Sequence, residues 1–152
     1  MISITKNADD DGRVLNLCQE LLRALPQGVA TLESKRTQRD DGTIIRLVPS
    51  NPRSAPFGVH TEDDNYLLVD VFFGSGTTFE LEDRDRGELL ALVRRLGLAV
   101  ISGRCEERFG FLGVRGEIRV KEKPGYRSAH YFHPRLFPKT VQYEPYAGPV
   151  KP

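Results

Sequence analysis

The run Tyr66-Leu67-Leu68-Val69-Asp70-Val71-Phe72-Phe73, closed by Gly74-Ser75-Gly76 and resumed by Thr77 to Leu81, constrains the fold more than any other stretch. Extended backbone sends Leu67, Val69, Val71 and Phe73 to one face and Leu68, Asp70 and Phe72 to the other. Both faces are apolar, so the run predicts a central strand covered on both sides. A helical layer is the expected cover of one face. Gly74-Ser75-Gly76 predicts a bend or tight reversal. It lacks the third glycine of a dinucleotide fingerprint, the Lys-Ser/Thr of a P-loop and the Gly-x-Ser-x-Gly of a nucleophile elbow.

The elements on either side decide the fold class. Asp9-Asp10-Asp11-Gly12 precedes Val14, Cys18, Leu21 and Leu25, which recur at helical spacing until Pro26-Gln27-Gly28. The aspartates suit the positive end of a helix, and the alternating ligand spacing of a calcium loop is missing. Val29–Lys35 and Thr43–Val48 predict a hairpin turning at Asp41-Gly42. From Pro49 to Gly58 all periodicity is broken, which with Val59 to Asn65 predicts a long loop, of the kind that is often functional and otherwise mobile. Leu89, Leu92, Val93 and Leu96 mark a second helix, capped by Asp85 with Glu88 three residues on and ended by Gly97. Leu98–Arg108 and Leu112–Val120 predict two more strands joined at Phe109-Gly110-Phe111. Hairpin-joined strands without alternating helices indicate an α+β fold: a mostly antiparallel sheet of about five to six strands, both helices on one face. The expected organisation is a single α+β domain over residues 1–120, with 121–152 an extended segment packed on it. Half of the ten prolines lie in the last nineteen residues, among Tyr143, Tyr146 and other aromatics. An aromatic tail of this kind is expected to lie on the body, over Leu68 and Phe72.

Charge and cysteine usage narrow the functional classes. The formal net charge is +1, so no global field recruits nucleic acid or a membrane surface. The positive charge is local: from Arg115 onward there are eight Lys/Arg against three Asp/Glu, and from Met1 to Asn65 eight against ten. Cys18 and Cys105 fall on apolar faces without metal-ligand or redox spacing, as small buried hydrophobes of a reducing compartment do. With no apolar signal core at Met1–Asn7 and no run long enough to span a bilayer, the expectation is a cytoplasmic chain without a membrane partner.

Several residues invite a chemical role. His60, and His130 with His133, are possible zinc ligands, but Pro134 disfavours a helical His-x-x-His pair and no cysteine cluster completes the set, so no metal or other cofactor is expected. Asp70 lies among hydrophobes and needs a partner, with Arg104 or Arg108 the first choice. Glu107 shares a strand face with Ile101 and Cys105 and needs a donor unless the strand leaves the core. Adjacent Glu106 points the other way, so the two cannot form an acid/base pair.

No catalytic set assembles from these residues. The expected function is therefore a non-enzymatic interaction module of bacterial immunity or adaptor type, with another protein as its partner. Its expected binding residues are Asp70, Arg104, Arg108, Arg127, His130, Tyr131, His133 and Arg135. Two alternatives stand beside it. One is a hydrolytic or small-molecule-binding enzyme using His60, Asp70, His130 and His133. The other, less expected, is a weak nucleic-acid-binding module in which aromatics between Tyr126 and Arg135 stack bases.

Overall fold

The computed structural model describes residues 9–38, 42–61, 69–81, 85–110, 113–119, 126–129 (backbone) and 138–148. It is an α+β fold of two helices and two antiparallel sheets. α1 spans Asp10–Arg23 and α2 Arg86–Ile101. The larger sheet is ordered β1 (Ala30–Arg36), β2 (Thr43–Pro49), β3 (Phe57–Thr61), β4 (Val69–Phe73), β5 (Thr77–Leu81). The smaller is ordered β8 (Tyr126–Ala129), β7 (Gly113–Ile118), β6 (Cys105–Gly110), β9 (Lys139–Gln142). The expected antiparallel sheet is the five-stranded one, and β6–β9 pair among themselves as a second.

Val69, Val71 and Phe73 are fully buried, as the alternation requires. Against them pack Ile45, Leu47, Phe57 and Val59 from the sheet, with Val14, Leu17, Leu21, Leu89, Val93 and Leu96 from the helices. The strand expected at the centre nevertheless lies one place in from the edge, between β3 and β5. The middle strand is β3, within the stretch expected to be a long loop. Its Phe57, Val59 and Thr61 are wholly buried, yet Gly58 and His60 between them hide the apolar alternation. Gly58 lies opposite Phe72 in the ladder. A Cβ there would come within 2.0 Å of the Phe72 ring, so the missing side chain lets the ring lie across β3.

The aspartates before α1 do more than favour a helix start. Asp9 makes no side-chain cap. Asp10 is buried and its Oδ1 lies 2.7 Å from Nε of Arg86 at the start of α2. Asp11 accepts from Thr61 Oγ1 at 2.6 Å and from Thr43 Oγ1 at 3.4 Å. They tie α1 to α2 and to β2 and β3. At α2 the Asp85 cap forms as expected, accepting from the Glu88 N–H at 3.0 Å. Gly97, by contrast, is not a helix end. It lies mid-helix, where a Cβ would press on Leu21 at 2.8 Å and on Phe57 at 3.1 Å, so its absence brings α2 close to α1 and β3. The helix runs on to Ile101 and stops at Gly103 (φ 71°), with Gly103 N–H bonded to Val100 and Arg104 N–H to Ala99. Residues 98–101 are therefore helical, and the strand begins at Cys105.

The described end of the chain, 138–148, reaches the helix-facing side of the large sheet. Tyr146 is buried and its hydroxyl donates to the Leu47 carbonyl at 3.2 Å. Tyr143 meets Phe73 edge-on, with ring centroids 6.4 Å apart. These contacts lie on the Phe73 side of β4, not on the Phe72 side; Leu68 lies outside the described residues. The segment is stitched to Ser50–Pro56: Ser54 Oγ donates to Pro145 O at 3.0 Å, and Asn51 and Arg53 both donate to the Glu144 carboxylate. Those bonds, Asn51 first, hold the Glu144 carboxyl below its ordinary range.

Neither cysteine is in a disulfide, and both are buried. Burial pushes each thiol from 9.0 up to about 12, with the Glu107 charge a second cause at Cys105. The unfolded thiols ionise first on the alkaline side. Stability is therefore fully present below pH 9 and falls above it, by about 1.4 kcal/mol per pH unit for each thiol, until the folded values are reached. Half-buried Tyr143 and buried Tyr146, also raised by burial, add to the loss above pH 10. Denaturant midpoints between pH 8 and pH 11 should fall in this manner, and the Cys18→Ala, Cys105→Ala double variant should fall less steeply from pH 9.

Candidate functional site

Two polar clusters draw on residues flagged by the sequence, and they differ in kind. The first is inside. Cys105, Glu107 and Phe109 share the inner face of β6 with Val114, Gly116 and Ile118 of β7. Glu107 is fully buried. Its carboxyl accepts from Ser75 N–H at 3.1 Å, Ser75 Oγ at 3.0 Å, Thr77 Oγ1 at 2.6 Å and Tyr143 Oη at 2.6 Å. Gly74 (φ 61°) and Gly76 (φ 119°) let the turn close over it; a Cβ at Gly74 would meet the carboxyl carbon at 2.7 Å. The donor that Glu107 required thus comes from the Gly74-Ser75-Gly76 turn and the C-terminal segment. Burial, then the bond to Glu107, holds the Tyr143 phenol well above the ordinary tyrosine range. Ser75 is exposed, but its N–H, which an oxyanion would need, is directed at Glu107. The cluster joins the two sheets, and each of these donors is turned to the Glu107 carboxyl.

Gly116 marks a close approach of those sheets. A Cβ there would stand 2.3 Å from Cγ2 of buried Thr77. Gly116→Ala is expected to lose about 1–3 kcal/mol, as overpacking a tight core does. Thermal melts check this, and adding Thr77→Ser, which removes the obstructing methyl, should restore part of the loss.

The second cluster is outside. Glu106 and Arg108 project from β6 opposite Glu117 and Arg115 of β7. One step further, Arg119 N–H bonds to Arg104 O at 2.8 Å and continues the ladder. The outer face therefore carries rows of one sign each: Arg104 and Arg119, then Glu106 and Glu117, then Arg108 and Arg115. Like charges directly opposite one another on adjacent strands repel. Relief comes along β6 and diagonally across the ladder: Glu106 Oε1 takes Nη2 of Arg108 at 2.7 Å, and its Oε2 lies 3.6 Å from Nη1 of Arg119. The covering arginines leave Glu106 nearly buried, while Arg108 is 65% and Arg119 46% exposed. Arg115 is exposed, and neutral Thr140 and Gln142 extend the face onto β9.

The sequence-predicted residues divide accordingly. Arg104 and Arg108 belong to this face, and the register puts Arg127 opposite Glu117 on β8. His130, Tyr131, His133 and Arg135 lie outside the described residues. Asp70 is elsewhere and does not meet an arginine of β6. It is paired in register with His60, whose Nδ1 lies 3.7 Å from Asp70 Oδ2, on the half-buried outer side of the large sheet. The reason is topological: Arg104 and Arg108 belong to the other sheet. Arg115, Arg119 and Glu117 were missed by residue-level reasoning, although the basic excess beginning at Arg115 pointed to this region.

Among the described residues no three His, Cys, Asp or Glu side chains converge to hold a metal ion, and no helix is long and apolar enough to cross a membrane. Comparison with protein-family models, curated proteins and solved structures finds no match to the chain.

Proposed function

We propose that this chain is a non-enzymatic protein-interaction module that docks an acidic protein surface on the outer face of β7, β6 and β9. The observation that carries this is the exposed row Arg108–Arg115, two arginines set directly opposite each other by the ladder. Arginine favours interfaces because its planar group binds carboxylates bidentately. Alternating charge rows give register and partner choice more than bulk affinity. They also favour protein over nucleic acid, because Glu106 and Glu117 lie between the arginine rows and repel a phosphate backbone. A bacterial immunity or adaptor protein is the form of this reading that the chain's size suits, and the two unbridged cysteines fit a reducing compartment.

The test is capture from the source cell with the wild-type chain and with Arg108→Glu, Arg115→Glu. We expect a protein retained by the wild type, released by salt and lost to the charge-reversed chain. Identical captured sets, or retained material that disappears on nuclease treatment, would overturn the proposal.

A further inference from the structure

We infer that β1 is the seat of a second copy of this chain, the two β1 strands pairing antiparallel about Ser34. β1 ends the strand order of the large sheet, and among the described residues it pairs with β2 alone. Such an edge presents unpaired N–H and C=O groups. Glu33, Ser34, Lys35 and Arg36 are all exposed. Glu33 and Lys35 share one face of the strand, and neither is in an ion pair among the described residues. Glu33 lies across the ladder from Arg46, and Lys35 from Ile44.

The geometry of a symmetric pair selects the register. A two-fold axis normal to the sheet must pass through a residue, so that like faces meet. Centred on Glu33 it would set that carboxylate against its own copy, and centred on Lys35 it would do the same with two ammonium groups. Centred on Leu32 it would leave Lys35 and Arg36 beyond the overlap. Centred on Ser34 it sets Glu33 of each copy against Lys35 of the other, Ser34 against Ser34, and Leu32 against the aliphatic stem of Arg36. Opposite charges directly across a ladder attract and like charges repel. Charges on an edge strand usually keep edges apart; here their order is self-complementary in this one register. The product is a continuous sheet of ten strands, five from each copy. Its interface is small and its charges exposed, so the dimer is weak and salt-dependent.

Sedimentation velocity on the full chain tests this over a dilution series at low and high salt. The wild type should shift from monomer to dimer with concentration, less so at high salt. Glu33→Lys and Lys35→Glu should each sediment as a monomer, since each sets like charges across the ladder twice. An equimolar mixture of the two variants should dimerise again, because every facing pair is then of opposite sign. Circular dichroism verifies that these exposed substitutions leave the fold intact. A wild type that stays monomeric throughout, single variants that still dimerise, or a mixture that fails to associate would each overturn the inference.

Discussion

Glu107→Ala should lower the stability of the folded chain by about 3–5 kcal/mol, on the order of 1–3 kcal/mol for each buried hydroxyl left without its acceptor plus the cavity left behind. Two hydroxyls depend on this carboxyl, buried Thr77 Oγ1 and half-buried Tyr143 Oη, each at 2.6 Å. Ser75 is exposed and can turn to water, so its share of the loss is small. Glu107→Gln should be milder, because one acceptor oxygen survives while the new amide N–H faces a ring of donors. The distinguishing measurement is a double-mutant cycle with Tyr143→Phe by denaturant unfolding. Removing the tyrosine hydroxyl should cost little once Glu107 is alanine, since the two share one bond. If the two losses simply add, Glu107 does not join the C-terminal segment to the sheets in the manner described.

Asp10→Ala is expected to cost about 3 kcal/mol, the lower end of what breaking a buried ion pair costs, because Arg86 is 22% exposed and retains some access to water. The single change removes the Asp10 carboxylate from the guanidinium group at the α1–α2 contact. The pair itself is not what the fold requires. Asp10→Leu combined with Arg86→Met replaces both charges by apolar volume and should recover most of the stability, since a buried pair barely offsets its own desolvation. Chemical denaturation of the two singles and the double decides this. A double variant as unstable as the worse single would show that the site needs its charges and not its volume.

Both positions show where residue chemistry alone stops. At Glu107 the sequence stated a need: a carboxyl on the face of Cys105 must find donors. It could not say where they were, because the Gly74-Ser75-Gly76 turn lies some thirty residues away and Tyr143 about as far on the other side. At Asp10 the local rule for a helix start was satisfied, and it concealed a contact with Arg86 on the far helix. The expected pairing of Asp70 with Arg104 or Arg108 failed for a related reason. Strand alternation tells which face a side chain takes, but not which sheet the neighbouring strand joins.

What the sequence determined by itself is the local layer: the two helical stripes, the Asp85 cap, the antiparallel pairing of β1 with β2 and the buried alternation of Val69, Val71 and Phe73. Each follows from spacing and turn chemistry within a few residues, and together they suffice for the α+β class. Tertiary structure decided the rest: that Phe57–Thr61 is the middle strand, that β6–β9 close a separate sheet, and that the arginines of β6 and β7 line up in rows. Those outcomes depend on which distant strands share a ladder, and on glycines at 58, 97 and 116 admitting a neighbour's side chain. No periodicity records such a contact, because the partner that fills the space is elsewhere in the chain.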